Sequence, residues 1–131
     1  FLAGSALLGS AAQRLVRTCC ARCKTPYRAS DSEMRILYGD SKPDAEVQLW
    51  GGTGCSHCYQ SGYLGRKSIY EILPVSRAVQ RMIIDKVDDD AIRTHAVAEG
   101  MRTLRAAAVS EVLAGKTTIE EIVRTVDMEW G

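Results

Sequence analysis

Two pairs of cysteines, each with two residues between its members, constrain this chain more than any other feature of its sequence. Cys20 and Cys23 form the first pair, and Cys55 and Cys58 form the second. A C-x-x-C turn directs two thiolates at one metal ion, and two such turns complete a tetrahedral site with no open position. The pattern predicts one structural zinc ion held by these four cysteines. The 31 residues between the pairs exceed the roughly 15–20 of common zinc ribbons and leave room for a short helix and a turn.

The cysteines allow other interpretations. Either Cys19 or Cys20 can pair with Cys23; Cys20 has the favoured spacing, and Cys19 is interpreted as a small apolar residue. His57, inside the second pair, is a weaker rival ligand. A redox C-x-x-C ordinarily stands alone after a strand in a βαβ unit, and an odd total of five cysteines does not suit a disulfide framework. Zinc is therefore favoured over a redox pair and over buried free thiols.

Length and composition set the remaining bounds. A chain of 131 residues is about one domain, or one domain with a fragment of another. Because it begins with Phe1, we interpret it as a fragment or a processed product. The apolar run over residues 1–12 is too short to span a bilayer, and a core helix is favoured there over a secretory segment. The net charge of +1 argues neither for nor against a nucleic-acid or membrane partner.

The chain divides into three predicted parts, and the fold class is α+β, mainly α. Residues 1–18 form one amphipathic helix, because apolar residues recur at helical spacing; these are Leu8, Ala11, Ala12, Leu15 and Val16. Residues 19–65 contain the cysteines, together with a capping box at Ser30 and Glu33 that starts a helix over 34–38 and a short strand over 47–50. Residues 66–131 begin with a strand over 68–73 that Pro74 ends.

Four further helices are predicted in the last part from the residues at their ends. Their N-caps and approximate last residues are Ser76 and Asp85, Asp88 and Glu99, Thr103 and Ala114, and Thr118 and Val126. Thr118 and Glu121 are predicted to form a second capping box. The sequence Gly115-Lys116-Thr117 resembles the end of a Walker A loop, but the required earlier glycine is replaced by Ser110. We interpret Gly115 as a helix C-terminal residue instead.

An ordered set of segments carries a family resemblance over nearly the whole chain. These are residues 12–17 (AQRLVR), 54–58 (GCSHC), 62–66 (GYLGR), 69–73 (IYEIL), 100–104 (GMRTL) and 115–121 (GKTTIEE). The set resembles the C-terminal part of the type II secretion system ATPase, the E protein, and the type IV pilus assembly ATPases look similar. Gln13 and Arg14 match a family motif but are interpreted as a solvated or structural face.

The resemblance implies a parent that is a cytoplasmic, homohexameric ATPase at the inner face of the bacterial inner membrane, powering pseudopilus assembly and protein export. By resemblance, residues 1–18 end a RecA-like motor core, residues 19–65 are a zinc subdomain, and residues 66–131 are a strand returning to the core followed by a helical bundle. ATP and Mg²⁺ belong to upstream parts of the parent, so this chain alone is expected to be no enzyme. Its partners are then other subunits and inner-membrane secretion proteins.

A nucleic-acid-binding zinc module is the rival from another functional class. Basic residues flank the cysteines: Arg14, Arg17, Arg22, Lys24, Arg28, Arg66 and Lys67. Acidic residues lie in the same region, so a solvated mixed-charge surface is favoured over a phosphate-binding one, and we predict no nucleic-acid partner.

Overall fold

The computed structural model describes residues 9–126. Within them, nine helices and strands follow one another along the chain: β1 (Gly9–Cys19), β2 (Lys24–Arg28), α1 (Asp31–Tyr38), β3 (Gln48–Gly52), β4 (Tyr63–Pro74), α2 (Arg77–Ile84), α3 (Asp89–Ala98), α4 (Leu104–Leu113) and α5 (Ile119–Thr125). Short 3-10 turns cover Gly39–Ser41 and Ser56–Cys58. The α+β class is confirmed.

The predicted first helix is wrong where the structure describes it. Residues 9–19 form a strand that pairs antiparallel with β4, from Gly9 opposite Pro74 to Arg17 opposite Arg66; residues 1–8 of the predicted helix lie outside the described residues. Neighbouring residues of a strand face opposite sides, and Val16 is 1% exposed whereas Leu15 is 51% exposed. If this segment were a helix with its apolar face toward the core, Leu15 and Val16 would both be buried. The long backbone ladder with β4 outweighs the helical spacing of small, weakly apolar residues.

The second sheet brings the two cysteine pairs together. β2 and β3 pair antiparallel, with Lys24 opposite Gly52 and Arg28 opposite Gln48. β3 was predicted over 47–50, and it begins one residue later and ends two residues later in the structure. β2 was not, because its sequence KTPYR contains a proline and little apolar surface. Since Lys24 directly follows Cys23 and Gly52 lies just before Cys55, this register places one pair beside the other.

One buried core joins both sheets to three helices. Its members come from β1, β4, β3, α1, α4 and α5 and from the end of the described chain: Val16, Leu37, Leu49, Ile69, Ala107, Ala108, Val112, Ile119, Ile122 and Val126. Leu37 and Leu49 belong to the middle part of the chain, so the cysteine-bearing segment contributes side chains to the same core as the C-terminal helices.

The predicted helix caps are confirmed in the C-terminal part. Ser76, Asp88 and Thr103 each accept a hydrogen bond from the backbone N–H three residues later. In α1, Ser30 and Glu33 form both bonds of the predicted capping box. These bonds join residues close in sequence, which is why the pattern alone identified them.

The last predicted capping box is only half present. Thr118 accepts from the backbone N–H of Glu121, but the Glu121 carboxylate does not return to the cap. It is 1% exposed and accepts instead from the backbone N–H of Arg17 at 2.7 Å and from Arg17 Nε at 3.1 Å. Arg124 Nη2 donates to the same carboxylate at 2.9 Å. Glu121 therefore fixes α5 against β1.

Candidate metal centre

The four predicted cysteines lie together at the end of the β1–β4 sheet. The first pair lies in the turn between β1 and β2. In the second pair, Cys55 precedes the 3-10 turn before β4 and Cys58 is the last residue of that turn. Two backbone bonds join the turns: Cys20 N–H donates to Gly62 O at 2.9 Å, and Thr53 N–H donates to Cys23 O at 3.3 Å. Each cysteine is thus held by a turn that is itself tied to the other turn.

The sulfur geometry fits four-coordinate ligation of one metal ion. All four Sγ atoms lie within 4.8 Å of one another. The Cys20–Cys55 and Cys23–Cys58 sulfur distances are both 3.8 Å, and the Cys55–Cys58 distance is 3.7 Å. A tetrahedron with zinc–sulfur bonds of about 2.3 Å has edges of about 3.8 Å. Three of the thiols are buried and Cys55 is half-buried, so the donors are preorganised and shielded.

Close backbone approach makes this arrangement possible. A Cβ atom added to Gly52 would lie 2.2 Å from Gly62 O, inside the backbone of the second turn. Only glycine leaves room for the two segments to touch at this point. The contact brings the end of β3 against the start of β4 and so closes the loop that carries Cys55 and Cys58.

Hydrogen bonds to sulfur prepare the site for a cation. Burial disfavours the Cys58 thiolate, but the backbone N–H groups of Cys55 and Gly62 donate to its Sγ at 3.3 and 3.2 Å and lower its pKa to about 6. Burial raises the pKa of Cys23 to about 11. Metal binding replaces thiol protons, and the two amide donors stabilise the thiolate form of Cys58.

The rival ligands lie outside the cluster. Within residues 9–126, neither Cys19 nor His57 belongs to the group of potential metal ligands. Cys19 is half-buried in the last position of β1, and burial raises the pKa of its thiol, in keeping with its interpretation as a small apolar residue. His57 is exposed on the 3-10 turn. Four thiols fill a tetrahedral site completely, which is the donor set of a structural centre rather than of a water-activating one.

Gly115, Lys116 and Thr117, hereafter the GKT loop, join α4 to α5. Thr117 is fully buried and its hydroxyl donates to Arg17 O at 2.7 Å. The backbone carbonyl of Lys116 accepts from Cys19 N–H. A phosphate-binding loop follows a strand and presents its amides to the ligand, whereas this loop follows a helix and binds the protein itself.

Several basic residues near the cysteines are engaged by other groups. Arg28 pairs with Glu46 at 3.1 Å, Lys67 pairs with Glu111 at 2.9 Å, and Arg17 pairs with Glu121. Pairing to carboxylates lowers the positive charge that these side chains present to a phosphate backbone.

Within residues 9–126, no helix has the length and apolar character needed to cross a bilayer.

Comparison with known proteins identifies the family. The profile of the type II/IV secretion system proteins matches residues 1–124. The chain is 42% identical over 124 residues to the type II secretion system ATPase E of Vibrio cholerae, covering 95% of this chain and 24% of that protein. It is 38% identical over 129 residues to the type II secretion system protein E of Pseudomonas aeruginosa, covering 98% and 25%.

A pilus ATPase is similar as well. The type IV pilus assembly ATPase TfpB of Acinetobacter baylyi is 33% identical over 128 residues, covering 98% of this chain and 22% of that protein. The chain therefore spans about a quarter of the length of these relatives. With a family profile that matches almost from end to end, this chain belongs to the type II/IV secretion system proteins.

Proposed function

We propose that this chain is the zinc-bearing C-terminal region of a type II secretion ATPase, with Cys20, Cys23, Cys55 and Cys58 as the zinc ligands. The observation that carries the proposal is the cluster of four sulfur atoms within 4.8 Å. When bound, the metal acts as a cross-link between two turns that lie far apart in sequence and has no reacting position.

The role proposed for the centre is mechanical. The segment between β1 and β4 leaves the first sheet at Cys19 and returns to it at Tyr63, and the cysteines lie at the two ends of this excursion. A metal there holds the segment closed at its base. In the parent, residues 1–18 end a RecA-like core, so the centre braces the motor against the helical region.

The parent is proposed to be a cytoplasmic, homohexameric ATPase at the inner face of the inner membrane. ATP and Mg²⁺ bind in its upstream parts, and its work is to power pseudopilus assembly and protein export. Other subunits and inner-membrane secretion proteins are its partners. A type IV pilus assembly ATPase is the alternative parent, since relatives from both systems are similar to this chain. Complementation tests this choice. The full-length parent is expected to restore secretion to a strain that lacks the secretion ATPase, and not to restore pili to a strain that lacks the pilus ATPase.

Metal content tests the proposed ligand set directly. Protein purified without added metal is expected to contain close to one equivalent of zinc by elemental mass spectrometry. Cys19→Ser is expected to leave that value unchanged, because Cys19 is outside the sulfur cluster. A well-folded protein without metal would contradict the proposal, and loss of zinc from Cys19→Ser would show that the ligand set is wrong.

We expect no ATP hydrolysis by this chain alone. The GKT loop lacks the preceding glycine of a phosphate loop, and its Thr117 hydroxyl already donates to Arg17 O. Phosphate release from ATP should equal the buffer background and be the same for Lys116→Ala. Turnover that disappears in Lys116→Ala would overturn this expectation.

A further inference from the structure

The GKT loop binds the segment that carries the first cysteine pair at both of its ends. Cys19, just before the pair, donates its backbone N–H to Lys116 O at 2.9 Å. Lys24, just after the pair, donates from Nζ to Gly115 O at 2.9 Å. Two successive carbonyls of one loop therefore hold the two residues that border Cys20 and Cys23.

The end of α4 fixes these carbonyls in place. Gly115 N–H donates to Val112 O, and Lys116 N–H donates to Glu111 O, both at 3.0 Å. With Gly115 at a φ of +77°, this is the Schellman arrangement that closes a helix. The carbonyls that receive Cys19 and Lys24 consequently belong to a rigid helix end rather than to a free loop.

Trp50 of β3 completes the contact. Its ring lies against Gly115, where an added Cβ would be 2.7 Å from Cδ1. Lys24 Nζ lies 5.0 Å from the centroid of the same ring, within the range of a cation–π interaction. The Lys24 ammonium is thus held both by a carbonyl and by an aromatic face.

We propose that the GKT loop is a clamp that holds the first cysteine pair in its ligating conformation and so controls how fast the metal leaves. The inference rests on the proposed metal function. Opening of the turn at Cys20 and Cys23 moves Cys19 or Lys24 away from the loop, so the two bonds to the loop oppose release of a ligand sulfur. Lys24 and Gly115 are positioning residues that act through the cysteines and touch no metal.

Cobalt substitution of the full chain provides the test, because Co²⁺ bound to four thiolates absorbs visibly and its loss to excess EDTA can be timed. Lys24→Met keeps the side-chain length and removes the donor. We expect an unchanged cobalt spectrum, since the ligands are unchanged, and release faster by about tenfold, the effect on a rate of losing one hydrogen bond from a charged donor. Lys24→Arg, which retains a donor, should restore slower release.

Arg22→Met is the matched control, because it removes one positive charge from the same turn, where Arg22 is exposed. We expect its release rate to stay close to that of the unaltered chain. If Lys24→Met releases cobalt no faster than Arg22→Met, the clamp is wrong while the metal site stands. If the unaltered chain gives no cobalt–thiolate absorption, the metal site and the clamp are both overturned.

Discussion

Cys55→Ser is expected to lose the metal, expose residues 24–54 to proteases and abolish secretion when introduced into the full-length parent. Cys55 Sγ lies 3.8 Å from that of Cys20 and 3.7 Å from that of Cys58, so the change removes one corner of the tetrahedron. Structural zinc sites bind with apparent free energies of about 10–16 kcal/mol, and the segment has few buried side chains to offset its ordering entropy. Helices α2 to α5 should remain largely formed, because their N-caps are local and α4 and α5 keep Val16 and Ile69 as core partners when Leu37 and Leu49 are lost.

The measurements are zinc content, limited proteolysis and secretion by the complemented strain. His57→Ala is the control: it changes an exposed neighbour in the same turn and should retain both zinc and secretion. Cys55 is itself half-buried, so serine fits without steric conflict. A Cys55→Ser parent that loses zinc yet secretes normally would show that the centre is dispensable and that the proposed mechanical role is wrong.

Glu121→Gln is expected to reduce the free energy of unfolding by about 2 kcal/mol at neutral pH. The carboxylate is buried, receives the backbone N–H of Arg17 and pairs with the guanidinium groups of Arg17 and Arg124. Breaking a fully buried pair costs more, but these two arginines are 45% and 60% exposed and regain water. Urea unfolding of the metal-loaded protein measures the loss.

The pH dependence of that difference identifies the carboxylate as its source. Burial opposes ionisation of Glu121, but hydrogen bonds from Arg17 and Arg124 outweigh it and hold the pKa below its ordinary value of 4.5. A depressed folded pKa contributes stability that is present above the unfolded value and is lost as the pH falls through the folded one. The difference between Glu121→Gln and the unaltered chain should therefore shrink below pH 4.5.

Comparing the two proteins at each pH removes the effect of acid on the metal centre, which weakens in both. Glu120→Gln is the matched control, since Glu120 is the exposed neighbour on the same helix and its loss should change stability by less than about 0.5 kcal/mol. If Glu121→Gln and Glu120→Gln lose the same free energy of unfolding, the change in net charge, rather than loss of the buried ion pair, is responsible.

Features set by neighbours in sequence were predictable, and features set by distant partners were not. The caps at Ser76, Asp88 and Thr103 depend on bonds that span three residues, so their sequence signatures suffice. The strand β1 depends on β4, which pairs Gln13 with Tyr70, and nothing near Gln13 signals that partner. The chance helical spacing of small apolar residues in this segment therefore led to the wrong prediction of a helix.

The same distinction between local and distant partners applies to the cysteine cluster. The four cysteines were predicted because a C-x-x-C turn brings its own sulfurs together, whereas the joining of the turns depends on the register of β2 with β3 and on the contact between Gly52 and Gly62. The amide donors to the sulfur of Cys58 are backbone groups and leave no residue signature. Glu121 gave a misleading signal, because its position three residues after Thr118 matched a cap while its side chain bonded to Arg17.

The pairing of Cys19 with Tyr63 has a consequence for protein engineering. β1 and β4 are antiparallel neighbours, so residues 20–62 are topologically an insertion in a β-hairpin, and a short turn has the reach to replace them. Packing opposes this deletion. Leu37 and Leu49 of the insertion lie in the core with Val112 and Ile122, and removing them would leave a cavity beside α4 and α5. The insertion is therefore a structural part of its host rather than a portable zinc module, and grafts that transfer only residues 20–62 should fail to fold.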